Sequence, residues 1–376
     1  MRIFQAIDFS TNSNVQGNKT WVRNLYEPLL DLGNEVYLVS TQEVRIGHLD
    51  AVKRERFSTN LLETFKKEHA VKPFQLLFTY LMDGMIDTSV IDEIRQLGVI
   101  TCNFSCNNAH QFYLVDEISP HFDYNLHTEK DARQKFLAIG ANPLWWPMAS
   151  NPKYFHPQQV PQTIPVSFVG ENYALRAKYI GYLLENGVEV HAFGPRWKYG
   201  TSSRWRSWAK RVKYLLLSSL SFSPSAQMRA SANLADHDYR RYLADRFPDN
   251  VHSSVSDEEL ITLYSRSQIS LGFLEVYLHH DAGQAVVRHL HLREFEAPMS
   301  GALYCTGYSD ELCEFFDPET EILTYSNQFE LLEKINYYLA HPQEAEQIRQ
   351  AGYRRAIHDH TYQRRFEQLF QALGIH

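Results

Sequence analysis

The sequence predicts an α/β protein with two doubly wound parallel sheets, each in a domain of its own. Apolar residues make up 44% of the 376 residues, which is enough for sizeable cores. Near-continuous apolar segments alternate with segments whose apolar residues recur at a helical period. This alternation starts at the beginning of the chain and starts again near residue 165. Strands that are apolar on both faces are typical of parallel sheets covered by helices.

The first domain is predicted to occupy residues 1–160. Its predicted strands are RIFQAID, EVYLVS, FQLLFTYL and VITCNFS. The helix KTWVRNLYEPLLDLG connects the first two strands, and its apolar residues follow a 3.6-residue period. Gly33 ends this helix as a glycine C-cap would. The segment 143–165 is rich in proline and has no helical period, so it is interpreted as a crossover or linker.

The second domain is predicted over residues 161–345, with an insert at 195–235. Its predicted strands are VSFVG, VEVHAFG, ISLGFLE and ALYCTG, and helices lie between them. Residues 346–376 are predicted to form C-terminal helices that pack back toward the first domain. Ligands of open α/β sheets bind at the carboxyl ends of the strands. We therefore expect the functional residues at those ends, on either side of a central cleft.

Composition excludes several classes of protein. Four cysteines in a chain of this length do not form a disulfide framework, and Cys102 with Cys106 lack the second pair of a zinc site. No segment approaches the roughly 18 apolar residues that span a bilayer. The amino terminus lacks the features of a signal peptide and is predicted to be the first strand. We therefore expect a reducing, cytoplasmic setting.

The stretch VSFVGENYALRAK indicates an anion site. A buried strand ends at Val169, Gly170 makes the turn, and a helix follows directly. Backbone N–H groups and the positive end of a helix then lie at the strand's carboxyl end, which favours an anion. Arg176 is placed to reach the same site. The alternative is an ordinary turn with a surface arginine. The chain has no GxGxxG at this position, so a dinucleotide cofactor is not predicted.

The stretch HLREFEAPMSGALYCTG places charges in an otherwise apolar segment. Arg288, Arg293 and Glu296 lie within adjacent turns, shortly before Gly301. A carboxylate accepts hydrogen bonds from both hydroxyls of a ribose, and an arginine forks onto a diphosphate. The alternative is a surface ion pair worth about 0–1 kcal/mol. The surrounding apolar residues indicate burial, which favours a ligand site.

Several segments resemble glycosyltransferases of the GT-B fold. REFEAPMSGALYCT resembles the donor-site segment of that group, and SFVGENYALRAKYIGYL, YYLAHPQEAEQIRQAGYRRA and HDHTYQRRF occur in the same order as in CgeB-like (spore-maturation-type) glycosyltransferases. The resemblance covers most of residues 165–370. It implies transfer of a sugar from a nucleotide-sugar, most simply a UDP-sugar, held by the second domain. The first domain would hold the acceptor, which is a glycan, a lipid-linked molecule or a small molecule.

The resemblance also implies the donor-binding residues. Glu296 would bind the ribose, and Arg293, Arg176 and the turn at Gly170 would contact the phosphates. The full predicted donor set is Gly17, Gly170, Asn172, Arg176, Gly194, His280, Arg288, Arg293 and Glu296. A retaining reaction is expected, but many retaining relatives have a second Glu where this chain has Arg288, so inversion stays open. His279, His280 or Asp281 is an alternative contact to the donor sugar.

For the acceptor side, Asp83 and His110 lie at or just beyond predicted strand ends. Either is a candidate general base if the enzyme inverts, and Asp116 is a weaker one. The alternative for each is a loop cap or a solvated side chain. No DxD-like pair flanked by strand and loop occurs, so neither a metal nor another cofactor is predicted. A nucleotide-sugar epimerase and a non-catalytic sugar-nucleotide binding protein remain alternative functions.

The insert carries a concentrated positive charge. No acidic residue occurs between positions 190 and 235, whereas eight basic residues do, which leaves −15 on the rest of a chain with a net charge of −7. Basic and aromatic residues together in segment 196–223 are typical of peripheral contact with an anionic membrane. The alternative is a lid or interface element. Binding to nucleic acid is not predicted, because the remaining acidic surface would repel phosphates.

Overall fold

The computed structural model describes residues 1–9, 19–45, 50–198, 237–277 and 286–375, together with a few positions between 208 and 235. The chain forms two compact units, Met1–Asn151 with Asp359–His376, and Pro152–His358. The first boundary therefore lies at Asn151, whereas the sequence analysis placed it at residue 160. The reason is a contact between residues far apart in the chain, since the Gln158 N–H donates to Ser265 Oγ at 2.9 Å within the second unit. No described helix is long and apolar enough to cross a membrane.

The first unit contains a six-stranded sheet in the order β2-β1-β3-β4-β5-β6, and all of its pairings are parallel. Its strands are β1 (Arg2–Ile7), β2 (Glu35–Ser40), β3 (Leu76–Thr79), β4 (Ile100–Ser105), β5 (Tyr124–His127) and β6 (Pro143–Trp145). Its helices are α1 (Glu27–Asp31), α2 (Ala51–Val71), α3 (Thr88–Gln96), α4 (Asn108–Gln111) and α5 (Arg133–Ala138). A π-helical stretch, Val22–Tyr26, precedes α1. The strand order reverses direction between β1 and β3, which is the position where such sheets bind ligands.

The second unit contains a second six-stranded parallel sheet and a two-stranded antiparallel ribbon. Its strands are β7 (Ile164–Val169), β8 (Val190–Phe193), β9 (Val251–His252), β10 (Ser267–Leu271), β11 (Glu275–Tyr277), β12 (Val286–Arg288), β13 (Tyr304–Gly307) and β14 (Leu323–Tyr325). The sheet order is β14-β13-β10-β7-β8-β9, and β11 and β12 form the ribbon. In this order the chain switches direction between β7 and β10, which defines the ligand-binding edge of the sheet.

The helices of the second unit cover its sheet. They are α6 (Arg176–Glu185), α7 (Asp257–Arg266), α8 (Arg293–Met299), α9 (Gln328–Ala340) and α10 (Pro342–Asp359), and residues 237–246 are also helical. Ser256 begins α7 with a capping box, because its side chain accepts the Glu259 N–H while the Glu259 carboxylate accepts the Ser256 N–H. This arrangement satisfies two N–H groups that the first turn of a helix would otherwise leave without partners.

The last helix, α11 (Tyr362–Leu373), belongs to the first unit, although most of α10 belongs to the second. Trp146 donates its indole N–H to the backbone carbonyl of Arg365 at 2.9 Å. Phe366 packs against Phe78, with ring centroids 5.4 Å apart. The apolar face of α11 therefore completes the core of the first unit. Residues 346–358, which the sequence analysis grouped with this helix, lie in the other unit.

Candidate functional site

The loops after β7 and β8 meet at the switch point of the second sheet. Gly194 has φ +140°, and a Cβ at this position would lie 2.3 Å from the carbonyl oxygen of Gly170. The indole N–H of Trp197 donates to the same oxygen at 2.7 Å. Gly194 is therefore required for the close approach of two backbone segments. This contact shapes the turn at Gly170, where the sequence predicts an anion site.

Trp197 also corrects part of the prediction for the insert. By its position, Trp197 is one of the aromatic residues of the predicted membrane-contact segment 196–223. Trp197 is instead only 1% exposed and belongs to the core of the second unit. Its indole is committed to Gly170, so it cannot serve as a membrane anchor in this conformation. Most of the remaining insert lies outside the described residues.

Arg176 lies at the first position of α6 and is 2% exposed, so it is not a surface residue. Its guanidinium stacks on the Tyr173 ring at 3.8 Å. Nη1 donates to the Glu171 carbonyl at 3.0 Å, and Nη2 lies 3.5 Å from the Phe273 carbonyl. Glu171 follows β7 and Phe273 follows β10, so Arg176 joins the two loops of the switch point. Burial lowers the pKa of Arg176.

Asn172 lies in the same loop and is 1% exposed. Its N–H donates to the Pro195 carbonyl at 3.0 Å, which ties the loop to the residues after β8. Its side-chain oxygen is buried and has no hydrogen-bond partner in the described part of the chain. Such an atom costs about 1–3 kcal/mol unless a ligand or water completes it. The predicted residues Gly170, Asn172, Arg176 and Gly194 are thus brought together at this edge.

A second group of charges lies at the start of α8. Glu294 is 1% exposed, and its two oxygens accept hydrogen bonds from the His291 N–H at 2.6 Å and the Tyr304 hydroxyl at 3.0 Å. Burial raises the pKa of Glu294, but the hydrogen bonds, first of all from His291, outweigh it and hold the pKa below its ordinary value. Glu294 is therefore a buried, ionised carboxylate, and each of its oxygens accepts a hydrogen bond.

Arg293 and Glu296 lie in this group as well. Glu296 is 7% exposed. Burial opposes the charge of Arg293, but its surroundings outweigh burial and raise its pKa. These surroundings are Tyr264, Tyr304, Glu296 and Glu294. Arg293 also lies close enough to Arg176 to lower the pKa of Arg176 by like-charge repulsion. Arg293 and Glu296 therefore belong to a cluster of charged and tyrosine side chains near the switch point, rather than to an isolated surface ion pair.

Arg288 has a different environment. It stands opposite Glu275 in the β11–β12 ribbon, and its Nε donates to Glu275 Oε1 at 3.3 Å. A terminal nitrogen donates to the Tyr308 carbonyl at 3.0 Å. Glu275 is 3% exposed, and its other oxygen has no hydrogen-bond partner among the described residues. A buried carboxylate therefore accompanies Arg288.

The other predicted site residues fall into two groups, those outside the described part of the chain and those on the first unit. Gly17, His279, His280 and Asp281 lie outside the described residues. Asp83 accepts backbone N–H groups from Ile118 at 2.8 Å and Glu117 at 3.2 Å, which are the contacts of a loop cap. Burial raises the pKa of Asp83 to about 6. His110 lies on α4 and is half-buried.

The sequence analysis missed several residues that shape this edge. Gly272 follows β10, and a Cβ there would lie 2.2 Å from the Tyr304 hydroxyl. Glu275 and Tyr304 also escaped notice, and Glu294 was seen as an unusual charge but was given no role. The signal was available for Glu275, which ends the apolar run ISLGFLE, and for Glu294, which lies between two residues already singled out. No three His, Cys, Asp or Glu side chains come together to hold a metal ion in the part of the chain that the structure describes.

Two α/β units with six-stranded parallel sheets define the architecture of GT-B glycosyltransferases. A sucrose-phosphate synthase from Thermosynechococcus elongatus is similar with a TM-score of 0.61 and 14% identity, over 100% of this chain and 99% of that one. A glycosyltransferase from Rickettsia africae is similar with a TM-score of 0.61 and 12% identity, over 99% and 97%. Anabaena HepE in complex with UDP and glucose gives 0.57 and 10%, over 99% of both chains. These similarities establish the fold.

The chain belongs to the family described as glycosyl transferase-like, which matches residues 181–371. That range includes α8, with Arg293, Glu294 and Glu296, and the strands β13 and β14. A comparison with curated protein sequences gave no match.

Proposed function

We propose that this protein transfers a sugar from a nucleotide-sugar, most simply a UDP-sugar, to an acceptor hydroxyl. The family and the GT-B fold support a glycosyltransferase. The solved HepE complex, which contains UDP and glucose, supports the choice of UDP as the first nucleotide to test. Within the family we assign the chain to the CgeB-like group, on the segments that resemble it.

The observation that carries the proposal is the buried Arg176 at the switch point of the second sheet, which joins the loops after β7 and β10. It lies beside the side-chain oxygen of Asn172, which has no hydrogen-bond partner among the described residues. Burial lowers the pKa of Arg176, and the nearby Arg293 lowers it further. Departure of a nucleoside diphosphate builds negative charge on the leaving oxygen. Fixed positive groups aimed at that charge stabilise the transition state without reorganising. Arg293 would contact the diphosphate, while Arg176 would hold the two loops and add to the positive field. Glu296 would accept the ribose hydroxyls.

The same arrangement suits a reaction without a metal. Guanidinium groups and backbone N–H groups supply the positive charge that a divalent ion provides in other transferases. We therefore propose metal-independent transfer, and we propose retention of the anomeric configuration. Chelator-treated protein should keep its activity, and loss of activity that Mg²⁺ or Mn²⁺ restores would contradict metal independence. The anomer of the product, read by NMR, tests retention.

The central experiment incubates the protein with a panel of UDP-, GDP- and ADP-sugars and follows the products by chromatography. Transfer or slow hydrolysis of one donor supports the proposal. Formation of a 2-epimer would indicate an epimerase instead, and binding without turnover would indicate a binding protein. The Arg293→Ala variant should lose the reaction. Arg354→Ala is the matched control, because Arg354 is an exposed arginine on α10.

Peripheral membrane contact through segment 196–223 on the cytoplasmic face remains part of the proposal, supported by its cluster of basic residues. Liposome flotation with anionic vesicles, with and without residues 199–223, tests it and leaves the buried Trp197 in place. Equal flotation of both proteins would rule the contact out.

A further inference from the structure

Two histidines face each other at the edge of the second sheet. His191 lies on β8 and His252 on β9, which is the edge strand and pairs in parallel with β8. His191 Nδ1 and His252 Nε2 are 3.0 Å apart, which is hydrogen-bond distance. The His252 ring also stacks on Phe193, with ring centroids 4.3 Å apart. The two imidazoles therefore form one hydrogen-bonded unit, which we call the histidine pair.

The hydrogen bond of the histidine pair exists only in certain protonation states, because one nitrogen must donate while the other offers a lone pair. His191 Nε2 lies 3.2 Å from Glu189 Oε1, and a carboxylate only accepts. In the neutral pair, His191 therefore donates to Glu189 and accepts from His252. One added proton is tolerated, since the charged imidazole then donates to the neutral one. A second added proton puts an N–H on both facing nitrogens, so the bond is lost and two positive charges face each other.

The charges around the histidine pair oppose this second proton. Burial lowers the pKa of His252 below its ordinary value of 6.5, and the charges of His191 and Lys198 lower it further, while Asp249 raises it. The Glu189 carboxylate contacts His191 from the solvent side, with 62% of its side chain exposed. The helix α7 packs on the same face of the sheet and contributes apolar residues there, Leu260 and Leu263. A like charge and partial burial therefore work against a doubly charged pair.

The strand β9 is tied to the loop at the switch point of the second sheet. Directly after β9, the Ser253 carbonyl accepts the Gly194 N–H at 3.2 Å. Gly194 is the residue whose backbone lies against Gly170. Its neighbour Pro195 accepts the Asn172 N–H at 3.0 Å. Because β9 has only two residues, few backbone hydrogen bonds hold it against repulsion between the imidazoles. Displacement of β9 would release the Gly194 N–H and loosen the segment that positions Gly170 and Asn172.

We propose that the histidine pair is a pH sensor: a second proton breaks its hydrogen bond, displaces β9 and loosens the loop that carries Gly170 and Asn172. The change takes place between about pH 7 and pH 5, the range in which histidine titrates. The unfolded chain takes up both protons more readily than the folded pair does. The contribution of the pair to stability is therefore present at neutral pH and declines as the pH falls. Weaker binding of the nucleotide donor in acid rests on the proposed function, whereas release of β9 does not.

Hydrogen–deuterium exchange with mass spectrometry tests the release of β9. Protection of residues 190–194 and 250–254 is compared at about pH 7.5 and pH 5, on either side of the titration of histidine. The buried strand β7 serves as the internal reference for the pH dependence of exchange itself. In the wild type, protection should fall at least about tenfold in acid, the effect of a one-unit difference in the pKa of one histidine.

Glutamine variants isolate the effect of the second proton. His252→Gln and His191→Gln each keep one imidazole beside a hydrogen-bonding side chain, so two facing charges cannot form. Their protection should change less than about twofold between the two pH values, well below a one-unit pKa effect. His156→Gln is the control, because His156 is an exposed histidine, and it should behave as the wild type does. Circular dichroism at both pH values checks that each protein is folded.

Titration calorimetry with UDP tests the coupling of the histidine pair to the switch-point loop. In acid, the wild type should lose at least about tenfold more affinity for UDP than His252→Gln loses. Protonation of UDP itself is the same for both proteins and cancels in this comparison.

Two outcomes of the exchange experiment would overturn the sensor: unchanged protection of the wild type in acid, or an equal loss in both glutamine variants. Release of β9 with the same pH dependence of UDP affinity in the wild type and His252→Gln would overturn the coupling to the loop. Absence of UDP binding at about pH 7.5 in every protein would contradict the proposed function, while exchange would still decide whether the histidine pair releases β9.

Discussion

The carboxyl edges of the two sheets hold their polar side chains in different ways. At the first switch point, Asp8 and Thr41 have buried oxygens without partners among the described residues. At the second, the terminal nitrogens of Arg176 and both oxygens of Glu294 are bonded to groups of the protein itself. The buried atoms there that lack partners in the described part of the chain, such as Asn172 Oδ1 and Arg176 Nε, lie beside these fixed charges. The same topological position is thus an open polar cavity, lined in part by Asp8 and Thr41, in one unit and an assembled charged cluster in the other.

This difference fits two kinds of ligand. Charges that are already held in place can stabilise charge that develops during a reaction, since nothing has to reorganise. Unpartnered groups in a cavity instead gain their hydrogen bonds when a ligand arrives. Mutations at the second edge should therefore reduce stability along with donor binding. Mutations at the first should change binding while stability is kept or improved.

The largest effect is expected for Glu294→Ala. It leaves the His291 N–H and the Tyr304 hydroxyl without an acceptor, so the free energy of unfolding should fall by about 3 kcal/mol. Glu294→Gln keeps one acceptor and should cost about half as much. Denaturant unfolding measures both variants. A loss below about 1 kcal/mol for the alanine variant would show that Glu294 does not support this edge.

Arg293→Ala should weaken UDP binding about 100-fold, because the two charge-assisted bonds that we propose to the diphosphate would be lost. Arg293→Lys keeps the charge but loses the forked geometry, and an intermediate loss is expected. Isothermal titration calorimetry measures both, with Arg354→Ala as the control. Unchanged affinity in Arg293→Ala would remove Arg293 from the donor site.

Glu296→Ala should weaken donor binding at least about tenfold, the cost of losing a carboxylate partner of the ribose hydroxyls. The fold should remain intact by circular dichroism. Deoxyribose nucleotides provide a sharper readout, since dUDP and UDP should bind the variant more equally than they bind the wild type. An unaltered preference for UDP would show that Glu296 does not contact the ribose.

Thr41→Val should raise the free energy of unfolding by about 1 kcal/mol, because a buried hydroxyl without a partner is replaced by a methyl group of the same shape. The thermal midpoint of unfolding measures the change. Ser58→Ala is a useful counterpart, since Ser58 is also buried but accepts the Asp87 N–H at 2.8 Å, so its loss should destabilise. Destabilisation of Thr41→Val would mean that its hydroxyl is satisfied in solution.

The smallest effect concerns pH and Asp83. Burial raises the folded-state pKa of Asp83 to about 6, above its ordinary value of 3.8. The folded protein therefore takes up a proton before the unfolded chain does, so this group's contribution to stability increases as the pH falls from 7 to 5 and is lost as the pH rises through 6. Asp83→Asn should flatten that part of the stability profile. An identical profile in the variant would contradict the raised pKa.

Much of the fold follows from the sequence. Both sheets and their alternation with helices were predicted, because strands buried on both faces must be apolar along their whole length. The charged segment around Arg293 was also recognised in the sequence, because charged residues are costly to bury in an apolar segment unless they have partners. The domain boundary was placed differently, because the contact between Gln158 and Ser265 joins residues far apart in the chain.

Other features depend on contacts between distant segments. Arg176 was predicted to reach an anion, and that stays a prediction; its bonds to the loops after β7 and β10 were not foreseen. The cavity of the first unit was not predicted, because Asp8, Arg45 and Tyr80 follow different strands and meet only when the sheet forms.

The sequence by itself determined the alternation of strands and helices, the two-unit organisation and the placement of charge near Glu296, because each depends on local pattern. Tertiary structure decided which carboxylates and guanidinium groups are satisfied and which are left unpaired. That distinction depends on strand order, which brings the ends of non-consecutive strands to one edge of the sheet. No single segment of the sequence determines that order.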